Sequence, residues 1–254
     1  MRCKPPPLKH SRQLQNQKVD RSILLTIHNS PLTTRRVLEL AVLFLAGTVA
    51  GLCANDPGKT PAIVWKLDYL SFIGGFTPQI LGAPRFTPAP EGPALHFDGA
   101  NDGLVFATNP ITKWKEFTIE VLFLPEPDAP EAQRFLHIED TKGGRVTVET
   151  RMIGTNSWCL DTYLLCGKSA LTLCDRAKLH PAGKWAWAAL VYDRRRMSSY
   201  VNGVKELEGK VSFSPMKPGQ MSLGVRLNRV YWFKGSIKEV RFTPAALPPQ
   251  ALHR

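Results

Sequence analysis

Carboxylates two or four residues apart on a strand face the same side, and such a pair can serve as acid and base toward one substrate. The sequence offers few. Glu139 and Asp140 are adjacent, so an extended chain sends them to opposite faces. Glu206 and Glu208 share a face but follow the exposed pair Asn202-Gly203. Glu149 has no second acid two or four residues away. That leaves Glu149 with Asp161, on neighbouring strands, as the pair for retaining hydrolysis, which needs carboxyl groups about 5 Å apart. No Gly-x-Ser-x-Gly, His-Glu-x-x-His or phosphate-binding loop occurs. His96, His137, His180 and His253 are scattered and read as satisfied core or surface residues rather than ligands. The expectation is a protein that binds rather than catalyses.

Two stretches could present a polar binding face. In Arg145–Ile153, Thr147, Glu149 and Arg151 share one side, opposite Val146, Val148, Thr150 and Met152. In Gly224–Trp232, read as extended, Arg226, Asn228 and Trp232 share another, and Trp158 and Asp161 lie on the strand between. Standing on one concave surface, these residues would make an open groove. The alternative is the plain solvent side of an antiparallel sheet, which is polar for no functional reason.

Short strands between turn signals must position these residues. The segments 63–68, 94–97, 103–107, 116–124, 134–139, 144–153, 157–164, 170–174, 184–192, 198–201, 204–208, 221–225 and 236–242 read as strands, and 71–93 as an irregular excursion. Phe117, Ile119, Val121 and Phe123 point one way, and Trp185, Ala189 and Val191 are expected between two sheets. Asn202-Gly203 between extended runs predicts a type I′ hairpin, whose central residues both take positive φ. No segment beyond residue 55 promises a helix of three turns. The class is all-β, a sandwich or barrel.

Four pieces in order carry a resemblance: Ala94–Asp102 (ALHFDGAND), Phe117–Phe123, Trp185–Asp193 followed by Tyr200-Val201-Asn202-Gly203, and Phe233–Phe242 followed by Ala246-Leu247. Together they resemble the LamG-like jelly-roll domain of the concanavalin A-like lectin/glucanase superfamily, over residues 62–247. The resemblance implies a two-sheet antiparallel sandwich and an exported, non-catalytic module that binds carbohydrate or a cell-surface polymer. A structural or protein-interaction domain without a small ligand, and a divergent glycoside hydrolase, are the alternatives. Its ligand candidates are Glu149, Arg151, Trp158, Asp161, Arg226, Asn228 and Trp232. It also implies calcium, for which Asp98 and Asp102 are the available carboxylates; turn carboxylates otherwise cap their own backbone. The sequence departs from the family where Trp187 stands for a frequent His and Lys238 for a frequent Asp. The second change removes a carboxylate.

Net charge alone argues for an acidic partner, but its distribution does not. Of the +12, residues 1–36 hold +7 and residues 55–254 only +6, with Glu39 between them. Arg35-Arg36, the apolar run Val37–Ala50 and the small residues up to Ala54 read as a secretory signal, helical and cut near Ala54 or Ala50. A buried helix is the competing reading. The long basic stretch before it reads as a start codon placed too early. Thr34-Arg35-Arg36-Val37-Leu38 fits twin-arginine export only in part because of Glu39, and Leu52 before Cys53 speaks against lipidation. Residues 55–61 read as a linker and 248–254 as a tail. Arg194-Arg195-Arg196 reads as a solvated turn rather than a nucleic-acid contact. Cys159, Cys166 and Cys174 fit no zinc spacing. They read as small buried residues, or as a Cys159–Cys174 or Cys166–Cys174 bridge with one thiol over.

Overall fold

The structure is a computed structural model and describes residues 61–254. The expectations for the signal segment, its cleavage and Cys53 lie outside those residues. Sixteen strands follow one another: β1 (Ile63–Lys66), β2 (Gln79–Leu81), β3 (Arg85–Ala89), β4 (Gly92–Asp98), β5 (Gly103–Phe106), β6 (Phe117–Pro125), β7 (Ala132–Asp140), β8 (Arg145–Ile153), β9 (Ser157–Cys166), β10 (Ser169–Cys174), β11 (His180–Pro181), β12 (Ala186–Tyr192), β13 (Arg196–Val201), β14 (Val204–Lys210), β15 (Gly219–Leu223) and β16 (Lys234–Thr243). The one helical turn among the described residues is a 3₁₀ turn, Pro249–Ala251.

The strands form two antiparallel sheets. The first runs β14-β13-β12-β6-β16-β4-β3, with β1 also on β16; the second runs β10-β9-β8-β7-β15-β5-β2, with β11 on β9. This is the expected all-β jelly-roll sandwich. Alternation along β6 drives it: Phe117, Ile119, Val121 and Phe123 are fully buried between the sheets. Phe123 stacks on Phe135 of β7 with centroids 4.3 Å apart, and Phe233 packs 5.5 Å from Phe135. Gly235 has φ +149, and a Cβ there would lie 2.2 Å from the Leu124 carbonyl oxygen. The last strand therefore passes too close to β6 for any side chain at that point. Asn202 and Gly203 both take positive φ, at 49° and 73°, as the hairpin requires.

Two expectations are corrected. Residues 71–93 contain strands β2 and β3, hidden by proline and glycine. Pro88 is tolerated because β3 is an edge strand and needs no donor on its outer side. Ala189 and Val191 do not fill the space between the sheets. They pack on the outer face with Tyr200 and Leu252, while Ala186, Ala188, Leu190 and Tyr192 face inward. Residues 246–252 cover that outer face, so β12 is apolar on both sides and its alternation gives no phase.

Candidate functional site

The expected binding face is the outer side of the second sheet. Pairing registers set Arg134, Glu149, Asp161 and Cys174 in one row across β7, β8, β9 and β10. Beside it runs a second row, His137, Thr147, Tyr163 and Thr172. A bulge between Arg134 and Leu136 lets Arg134 and His137, three apart, both face outward.

Charges in the first row are tied together. Arg134 Nε lies 2.7 Å from Glu149 Oε1, and Arg151 donates to Asp161 Oδ2 at 2.7 Å and to Glu149 Oε2 at 3.3 Å. Glu149 and Asp161 are almost wholly buried, at 3% exposure each. Burial pushes the Glu149 carboxyl above the usual range against the pull of Arg134. A recess of about 230 Å³ opens over the cluster, lined also by Arg145, Tyr163 and Arg226. Arg226 has no carboxylate within ion-pair distance among the described residues. Buried Nη1 of Arg134, Nε2 of His137 and Oγ1 of Thr147 have no hydrogen-bond partner there either. Burial and the guanidinium groups of Arg145, Arg226 and Arg134 pull the His137 imidazole down to about 3. It is therefore neutral, its Nδ1 accepts the Leu227 N–H at 3.0 Å, and its proton sits on Nε2.

Of the seven ligand candidates, the fold brings Glu149, Arg151, Asp161 and Arg226 to this recess. Trp158 is corrected: it stands three residues from Asp161, hence on the opposite face, and is fully buried in the sandwich, edge-on to Phe123. Asn228 and Trp232 are corrected as well. The segment after Gly224 is no strand. Arg229 and Tyr231 take positive φ, and the Arg229 N–H bonds back to the Arg226 carbonyl, closing a tight loop. Exposed Asn228 borders a separate shallow recess beside Leu227 and Glu139, and Trp232 is partly buried off the row. The aromatic groups actually present are Tyr163 and Tyr231, the latter lying 4.0 Å beneath the Arg134 guanidinium. Arg134, Arg145, His137 and Tyr163 were missed. Pairing 134–139 against 145–153 through the Gly143-Gly144 turn would have found Arg145 and His137, but the bulge conceals Arg134.

Calcium does not fit the Asp98 and Asp102 turn. Asp98 Oδ1 accepts the N–H groups of Ala100, Asn101 and Asp102, and its Oδ2 accepts from the Asn101 amide. Burial opposes the Asp98 charge, but these donors hold its carboxyl below the ordinary value. Asp102 binds the N–H groups of Ala83 and Asp98. Both carboxylates are consumed as backbone caps. Among the described residues no three His, Cys, Asp or Glu side chains cluster as for a metal ion. The four histidines among the described residues each face a glutamate: His96 with Glu126, His137 with Glu139, His180 with Glu206, His253 with Glu120. Within the basic run, Arg194 pairs with Glu116 and Arg196 with Glu208 around a turn capped by Asp193.

The three cysteines among the described residues, Cys159, Cys166 and Cys174, are free. A Cys166–Cys174 bridge is excluded, because the two stand at opposite ends of the β9–β10 pairing. Cys159 and Cys174 are in thiol contact, Sγ to Sγ 3.9 Å. Only Cys159 is a buried small residue.

The fold and this outer face define a lectin-like jelly-roll domain. Residues 98–253 match the Laminin_G_3 family, described as the concanavalin A-like lectin/glucanases superfamily, and the chain belongs to it. No curated protein matches the sequence. Among solved structures, domain 4 of AbnA, a GH43 extracellular arabinanase from Geobacillus stearothermophilus solved with arabinotriose, is similar over 76% of this chain and 96% of that one. Its TM-score is 0.59 at 19% identity. The binding domain of botulinum neurotoxin DC, in complex with SialylT, is similar over 74% of this chain and 49% of that one, with TM-score 0.53 and 10% identity. At these identities the likeness concerns the fold.

Proposed function

We propose that the protein is an exported, non-catalytic module that binds a glycan or other cell-surface polymer on the outer face of the second sheet. The observation that carries this is the pair of guanidinium groups with unused donors lining the recess, Arg134 through its Nη1 and the unpaired Arg226, over a rigid ion-pair floor. Buried donors without partners are costly and are matched by a ligand's acceptors. Their excess over acceptors favours a saccharide bearing carboxylate or sulfate groups, read by planar guanidinium forks. The arabinotriose and SialylT bound by the two similar domains support a glycan as the ligand class. Titration calorimetry with oligogalacturonides tests it. Binding should weaken with salt, and Arg226→Ala should lose about tenfold, about 1.4 kcal/mol. No binding to any acidic glycan, or acidic-glycan binding indifferent to Arg226→Ala, would overturn the assignment.

A second reading rests on one observation. Glu149 and Asp161 are directly opposed on paired strands, where Cβ atoms stand about 5 Å apart. A carboxyl raised by burial beside a second carboxylate is the pattern of a retaining glycosidase. Arg151 bridges both groups, which favours binding over hydrolysis. Release of reducing sugar that Glu149→Gln abolishes would reverse that preference.

A further inference from the structure

The outer face of the first sheet, on the other side of the sandwich, carries a cleft of about 610 Å³, within the size range of ligand sites. One row of the sheet crosses it: Lys66 opposite Glu239, Glu239 opposite Leu122, Leu122 opposite Trp187. Trp185, two residues earlier, lines the same cleft, and both indoles are partly exposed. The cleft therefore presents indole surface from two partly exposed tryptophans on the outer side of the sheet. The tail completes one wall. His253 stacks on Trp187 with ring centroids 4.5 Å apart, anchored by its N–H and Nδ1 on Glu120 Oε1 at 2.9 Å.

Charge distinguishes this cleft from the first site. The Arg241 guanidinium is held by Glu239, His253 by Glu120, and the Lys238 ammonium by the Pro90 carbonyl. The remaining charged lining groups, Lys66, Arg254, Asp68 and Glu91, balance in sign. With Lys238 counted, four cations face three carboxylates, a smaller excess than the four arginines against two carboxylates of the first recess. What is offered is indole surface beside hydrogen-bonding carboxylates and guanidinium, which suits the C–H faces and hydroxyls of an uncharged sugar ring.

We propose that this cleft is a second saccharide site, for a neutral glycan, which makes the module bivalent across its two faces. It stands independently of the first site and uses none of its residues. Two sites on opposite faces cannot grip one sugar, so the module would join two chains or gain avidity on one wall.

Affinity electrophoresis of the protein through gels containing arabinan, xylan, β-glucan or polygalacturonate tests it. At least one neutral polysaccharide should retard the protein. Trp185→Ala should weaken that retardation at least tenfold, Trp187→Phe should weaken it too, and Arg226→Ala should leave it unchanged. Unchanged thermal melting of Trp185→Ala would tie its loss to the cleft. The proposal is overturned if no neutral polysaccharide retards the protein, if both tryptophan variants bind as the parent does, or if Arg226→Ala abolishes neutral binding. Retardation by polygalacturonate alone, lost in Arg226→Ala, would uphold the first site and remove the second.

Discussion

Acid should destabilise this protein through one side chain. His137 is 1% exposed and its imidazole is pulled down to about 3 by burial and by Arg145, Arg226 and Arg134. In the unfolded chain it titrates near the ordinary 6.5. A depressed folded value means the unfolded state binds the proton first, so stability is intact above pH 6.5 and falls as pH drops toward 3. The cost approaches about 1.4 kcal/mol per pH unit below the unfolded value, which integrates to about 2 kcal/mol between pH 6.5 and 4.5. For a domain of this size that is roughly 4 to 8 °C in melting temperature. Other groups titrate too, the raised Glu149 among them. The comparison is therefore with His137→Asn, whose amide oxygen replaces Nδ1 as acceptor for the Leu227 N–H but cannot titrate. Urea denaturation of both proteins at pH 6.5 and 4.5 separates slope from absolute stability. The parent should lose about 2 kcal/mol more than the variant over the interval. Parallel losses would show that the imidazole is not held neutral by its surroundings, and the arginine-rich account of this face would fall with it.

Other outcomes follow from the same geometry. Arg151→Ala leaves Glu149 and Asp161 buried without their shared partner and should cost about 3–5 kcal/mol in urea denaturation at pH 7. Gly224→Ala places a Cβ 2.3 Å from the Phe97 ring at φ +77 and should cost upward of about 3 kcal/mol, whereas Gly75→Ala, with positive φ but open space, should cost about 1 kcal/mol. Burial pushes the Cys159 thiol up to about 12, so iodoacetamide at pH 8 should leave it untouched until denaturant is added, while exposed Cys174 reacts in the native protein.

The sandwich was legible because its core strands alternate and its sharpest turn carries a diagnostic pair. The candidate site was legible only in part, for three physical reasons. Side-chain direction has period two, so Trp158 and Asp161 could not share a face, and the tryptophan went to the core. A bulge on β7 shifts register by one and brings Arg134 into a row that counting alone does not give it. The loop after Gly224 alternates in polarity like a strand, yet Arg229 and Tyr231 adopt positive φ, a conformation that long-range packing rather than local preference selects. The same limit hid the second cleft. Trp185 reads as core because alternation sets it on one face with Ala189 and Val191, and only the pairing of β12 with β6 shows Trp187 on the outer row.

Burial separates these faces from the ordinary solvent side of a sheet. A sheet's solvent side is polar and wet, and its charges are cheap because water screens them. Here Glu149 and Asp161 on one outer face, and Glu120 and Glu239 on the other, are all under 9% exposed. Each pair surrounds an arginine: Arg151 touches both carboxylates of the first, and Arg241 touches Glu239 and stands opposite Glu120. Desolvated ion pairs of this kind often add nothing to stability against an apolar replacement. A sandwich already closed by a continuous aromatic core gains little from them. What they supply is fixed orientation, holding guanidinium and carboxylate groups rigid at a surface. Preorganised donors and acceptors matter to a fold only slightly and to a ligand a great deal, because the ligand then loses no binding energy to ordering them.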